Sequence, residues 1–144
     1  MEAHYYTVDV EWKDNRKGEM FSPELSQNIE VATPPQFPKG IEGVWSPEHL
    51  FTAAVSSCLM TTFLAIAENS KLEFSDFQCK SKGKLEQVEG KFLMTEVILE
   101  PVVTIKNESE REKAERVLQK SEANCLISNS VKSKITMIPQ IKVM

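Results

Sequence analysis

The chain has 144 residues, a net charge of −4 at pH 7, 41% apolar and 26% charged side chains, and a pI near 5.3. This is the size of one domain with a core of its own, expected to span 1–144, and its composition excludes disordered and fibrous classes. The acidic balance speaks against a nucleic-acid footprint, which needs a basic surface.

The opening stretch MEAHYYTVDVEWKD has no basic start followed by an apolar block, so no signal peptide is read and a cytoplasmic, reducing setting is expected. Tyr6, Val8, Val10 and Trp12 recur at every second position, which predicts a half-buried strand. KDNRKG supplies a turn, and EMFS with QNIEVAT read as returning strands. PPQFPKGIEG, rich in proline and glycine, is a loop leading into a helix.

That helix is strongly signalled. Ser46 suits an N-cap, Pro47 the first helical position, and Glu48 the first turn, with Asn69 and Ser70 closing it. Phe51, Val55, Cys58, Thr62 and Ala65 make one face, but the helix is apolar almost all round and is expected to be buried centrally. No run is read as reaching the eighteen or so apolar residues of a bilayer span, so no membrane is expected.

From Asp76 to Ile105 the pattern is a hairpin, with Glu89–Gly90 as its turn and a bend or bulge expected at Pro101. Asn107 is placed as the cap of a second helix, whose Ala114, Val117, Leu118 and Ser121 form a narrow apolar stripe. Cys125 follows where this helix runs out, and SKITMIPQIKVM closes the chain as a strand interrupted by Pro139. The order of elements predicts an α+β domain of antiparallel strands around the first helix. A helix apolar on every side needs more cover than one such chain provides, which points to a homodimer.

The chemistry open to these residues is narrow. Two histidines, His4 and His49, and three cysteines without paired spacing form no zinc pattern, and no nucleotide-binding or hydrolase motif occurs. No metal and no resident cofactor is expected. What remains is sulfur. Cys58 is open to two readings, a small core hydrophobe or a nucleophile, and only its thiolate would react. Cys125, 67 residues further on, is open to a structural bridge or to a mobile resolving thiol. Cys79 lies in a strand as packing or as an unpaired surface thiol. Arg111 and Arg116 sit among glutamates as surface ion pairs, whereas Arg16 occupies the first turn, as either a solvated cation or a functional group.

Taken as a set, SPEHLFTAAVSSCL, NCLISNSVK and NRKG, together with length and element order, resemble the osmotically inducible protein C (OsmC) and organic hydroperoxide resistance family. Pro47, Glu48, Leu50, Phe51 and Cys58 carry the first motif, Cys125 the second, and Arg16 and Gly18 the third, with Asn15 standing where the family has glycine. The resemblance implies an OsmC-like α+β fold, two antiparallel sheets around a long central apolar helix, in an intertwined homodimer with active sites at the subunit boundary. It implies a thiol-dependent peroxidase of oxidative-stress defence, in which Cys58 reduces a hydroperoxide and Cys125 resolves the sulfenic acid as a disulfide. Arg16 would hold the thiolate and polarise the peroxide, Glu48 would orient Arg16, and an external dithiol, lipoyl-type in part of the family, would regenerate the protein.

Ten residues of helix separate Glu48 from Cys58 by about 15 Å along the axis, so Glu48 acts through Arg16, across a bend, or from a second subunit. The reading set against the peroxidase is a dimeric, non-enzymatic binding module for a small apolar ligand, or a thiol redox sensor.

Overall fold

The computed structural model describes residues 1–144. Met1–Leu50 and Phe51–Met144 form two compact units, and the boundary falls in the first turn of a helix that begins in one and runs into the other.

The first unit carries a three-stranded antiparallel sheet of β1 (Asp9–Asp14), β2 (Lys17–Phe21) and β3 (Ile29–Ala32), in that order. Asn15 and Arg16 make the β1–β2 turn. Asn15 takes φ 49°, the left-handed geometry that asparagine tolerates in place of glycine. The expected half-buried strand starts later than the alternation suggests and is exposed throughout. Tyr6, Val8, Val10 and Trp12 are 63–85% exposed. The alternation therefore marks an apolar face that nothing in its own sheet covers.

Helix α1 (Pro47–Asn69) begins where the capping signals put it, with Ser46 Oγ accepting the His49 amide at 3.1 Å. It buries Val55, Cys58, Leu59, Phe63 and Ala67, one continuous face, while Met60, Leu64 and Ala65 stay exposed. Burial all round, expected from composition, is thus not found within one chain. The helix is also long and apolar enough to cross a bilayer, contrary to the reading of the sequence, but its apolar face is used for packing.

In the second unit β4 (Asp76–Val88) and β5 (Lys91–Ile105) form the expected hairpin, turning at Glu89 and Gly90 with φ of 51° and 80°. β6 (Lys134–Met137) and β7 (Gln140–Val143) add to the other edge of β5, and both run parallel to it. The antiparallel expectation fails here because α2 (Arg111–Ala123) serves as the crossover between β5 and β6, the connection that parallel pairing requires. Pro101 neither bends nor bulges β5. It falls between the stretches paired with β6 and β7, so on that edge no strand loses a bond to its missing amide. The register shift lies instead between Lys84 and Leu85. Asn107 precedes a short 3-10 turn, Glu108–Glu110, and gives no side-chain cap to it. Arg111 pairs with Glu108 at 2.8 Å as expected, whereas Arg116 has no ion pair.

β5 alternates so that Val97, Leu99, Pro101, Val103 and Ile105 are buried. Val55 and Leu59 of α1 cluster with Val97 and Leu99. Phe63 and Ala67 cluster with Val103, Ile105 and the α2 stripe Ala114, Val117 and Leu118. The Phe63 ring meets Phe77 at 4.8 Å and Phe74 at 5.1 Å between centroids. Each such large side chain stabilises by about 1.5–3 kcal/mol through burial, which holds the middle of α1 rigid where Cys58 sits.

Candidate active site

Cys58 lies on the packed face of α1, between Val55 and Thr62, and is 8% exposed. Its Sγ is 3.9 Å from Thr62 Oγ1, one helical turn further on. Cys125 lies just past the end of α2, wholly buried. The helix ends with Asn124 N–H and Nδ2 both donating to the Lys120 carbonyl. Asn129 then donates its amide to Cys125 O at 3.0 Å and its side-chain Nδ2 to Ala123 O at 3.1 Å, fastening the following turn to the helix end. Within that turn the amides of Leu126 and Ile127 are claimed by no backbone carbonyl, and both act to lower the Cys58 pKa.

The two thiols are free, and each influences the ionisation of the other. Their surroundings push them apart in acidity. Burial raises the Cys58 pKa, but the Ile127 amide, the Cys125 thiol, the Thr62 hydroxyl and the Leu126 amide together outweigh it, and Cys58 ends below the ordinary thiol value. Burial also raises Cys125; the Ser128 hydroxyl and amide oppose it, the bond to Cys58 and its charge reinforce it, and Cys125 ends above. Of the two, Cys58 is the thiol whose ionised form is favoured. Cys79, half-buried on β4, is pushed up by burial, with the Ser81 hydroxyl opposing. It is the least reactive setting of a lone thiol.

In the first unit Arg16 is exposed in its turn, and its carbonyl accepts the Thr33 amide at 3.2 Å. Arg16 and Glu48 line one cavity of about 420 Å³ together with Trp12, Val31, Pro34 and Phe37. Glu48 is half-buried at the start of α1. No group of three or more His, Cys, Asp or Glu side chains is placed to hold a metal ion.

The sequence reading named Cys58 and Cys125 but not their support. Thr62 was visible as the i+4 neighbour of Cys58 on the helix face. The Leu126 and Ile127 amides had no side-chain signature at all, since the groups that act are backbone.

Residues 38–139 match the family described as OsmC-like protein. The chain is 26% identical over 145 residues to the uncharacterized protein YmaD of Bacillus subtilis (strain 168), covering 95% of this chain and 93% of that one. Among solved structures it is similar to an OsmC-like protein of unknown function from Vibrio cholerae (TM-score 0.83, 24% identity, 95% of this chain and 99% of that one). It is also similar to an organic hydroperoxide resistance protein OsmC from Legionella pneumophila (TM-score 0.76, 22% identity, 98% and 100%). With the match spanning most of its length and the fold shared throughout, the chain belongs to the OsmC-like protein family.

Proposed function

We propose that this protein is a two-cysteine thiol peroxidase that reduces organic hydroperoxides. What carries the reading is that Cys58 and Cys125, two free thiols each buried in the second unit, influence one another's ionisation and have their acidities driven in opposite directions. A thiol of ordinary pKa, about 8.5, is only a few per cent ionised near neutrality, so a lowered Cys58 marks the attacking sulfur and a raised Cys125 the one held in reserve.

The Cys58 thiolate attacks the terminal oxygen of R–O–O–H. A sulfur–oxygen bond forms, the O–O bond breaks, and the alkoxide leaves with a proton as the alcohol. Cys58 is then a neutral sulfenic acid. The Cys58 anion that had helped to keep Cys125 protonated is gone, so Cys125 ionises more readily at the moment it is needed. Its sulfur attacks that of Cys58, the disulfide forms, and the hydroxyl leaves as water, which keeps the chemistry on the reversible rungs of thiol oxidation. An external dithiol reduces the disulfide by exchange.

Arg16 and Glu48, which line one cavity, have supporting parts in this reading: a cation for the peroxide and a carboxylate that orients it. The uncovered apolar residues of β1 and α1 favour a homodimer. The name of the Legionella relative, an organic hydroperoxide resistance protein, agrees with the substrate class. The test is turnover: catalytic protein with excess cumene hydroperoxide and dihydrolipoamide consumes many equivalents of peroxide, and Cys58→Ser consumes none. Consumption that stops at one equivalent identifies a sensor rather than an enzyme.

A further inference from the structure

Cys125 has the harder task of the two thiols, since the resolving step needs its thiolate and its setting disfavours one. One neighbour acts the other way without being used elsewhere. Ser128 is 8% exposed, and its hydroxyl oxygen is fully buried with no hydrogen-bond partner. Buried hydroxyls are nearly always bonded, so one left open asks for a reason. The other hydroxyl of the same short 3-10 turn, Ser130, is satisfied by the Leu126 carbonyl at 2.7 Å.

Cys125 lies three residues earlier, in the turn that the Asn129 amide closes on Cys125 O, the spacing that brings side chains onto one side of a helical turn, and the Ser128 hydroxyl acts to lower the Cys125 pKa. Against a neutral thiol, a weak acceptor, the pair falls short of hydrogen-bond alignment. A thiolate is a far stronger acceptor and draws such a donor in. The turn then serves both sulfurs: its Leu126 and Ile127 amides favour the Cys58 thiolate, and its Ser128 hydroxyl and amide favour that of Cys125.

We propose that Ser128 is a positioning residue for the resolving step, its hydroxyl donating to the Cys125 sulfur as that sulfur attacks the Cys58 sulfenic acid. The proposal rests on the peroxidase reading above. The S–S bond forms, the S–O bond of Cys58 breaks, and the departing hydroxide leaves as water with the proton that Cys125 gave up. Ser128 loses no proton in this; it holds and stabilises the attacking sulfur.

The experiment mixes reduced protein with one equivalent of cumene hydroperoxide and stops it at intervals with a sulfenic-acid trap. Alcohol release and the Cys58–Cys125 bridge are followed separately by mass spectrometry. In Ser128→Ala, alcohol release matches wild type, while bridge formation slows by about tenfold. Trapped sulfenic acid accumulates, and the half-maximal pH of bridging moves upward. Ser128→Thr, which keeps the hydroxyl, restores the rate. Bridging at the wild-type rate and pH in Ser128→Ala overturns the proposal, as does an equal fall in both steps, which marks general damage. A thiolate titration of Cys125 in Cys58→Ser, Cys79→Ser protein reads the contact without peroxide: its midpoint rises when Ser128 becomes alanine, and an unchanged midpoint overturns it. The failures separate, because absence of alcohol release in wild type removes the peroxidase reading, whereas release with unaltered bridging removes only the role of Ser128.

Discussion

Gly83, opposite Val97 in the β4–β5 hairpin, packs tightly against Thr52 of α1. A Cβ placed there would lie 2.0 Å from Thr52 Oγ1, 3.3 Å from Thr52 Cβ and 2.7 Å from Met94 Cε. The methionine tip can swing aside, whereas the Thr52 hydroxyl has to leave the position it holds. The Thr52 Cβ is fixed to the helix, so α1 or β4 must give by a few tenths of an ångström. Overpacking of this kind costs about 1–3 kcal/mol, and the lower chain entropy of unfolded alanine returns about 0.4–1 kcal/mol. Gly83→Ala is therefore expected to destabilise by about 1–2 kcal/mol. With a urea slope of about 2 kcal/mol per molar, the unfolding midpoint falls by about 0.5–1 M with the slope unchanged. Thr52→Ala in the same background relieves part of the clash, giving a coupling of at least about 0.5 kcal/mol in the double-mutant cycle. A midpoint equal to or above wild type, or strict additivity, refutes the close-approach argument.

Ser46→Ala removes the hydroxyl that accepts the His49 amide and lies 2.7 Å from His49 Nδ1. A loss of about 1 kcal/mol and a fall of a few degrees in Tm are expected, and Ser46→Asp, which keeps a capping oxygen, recovers most of it. The pH dependence of thiol reactivity follows from the signs. Because the folded Cys58 pKa lies below that of a free thiol, its alkylation rate rises with pH and levels off below the range in which an unfolded cysteine does so. Cys79, raised by burial, levels off above that range. Thr62→Val, similar in shape but without the hydroxyl 3.9 Å from Cys58 Sγ, moves the Cys58 midpoint upward; an unmoved midpoint means that the hydroxyl does not reach the thiolate.

What could be read from the sequence was what is local in the chain. Ser46, Pro47 and Glu48 marked the start of α1 because capping is decided within one turn, and Glu89–Gly90 marked the hairpin because its backbone geometry selects residue type. The α2 stripe was legible for the same reason: Ala114, Val117, Leu118 and Ser121 are its buried residues. Pairing across the sheet was not. Whether β6 and β7 run with or against β5 depends on the path of α2, and the effect of Pro101 depends on where two other strands end. The alternation of Tyr6, Val8, Val10 and Trp12 told that a face seeks cover without telling that its own sheet leaves it bare. In the site, Cys58 and Cys125 were found through motif resemblance, since a separation of 67 positions along the chain carries no distance. Backbone amides at Leu126 and Ile127, which lower the Cys58 pKa, leave no trace in residue identity.

The most direct measurement is peptide mapping of fully reduced protein after one equivalent of cumene hydroperoxide, with Cys58→Ser alongside. The account predicts a rapid Cys58–Cys125 bridge and one equivalent of alcohol in the wild type, with neither in the variant. Cys58 remaining reduced while Cys79 oxidises as readily would contradict it, and would make Cys58 a core residue rather than the reacting thiol.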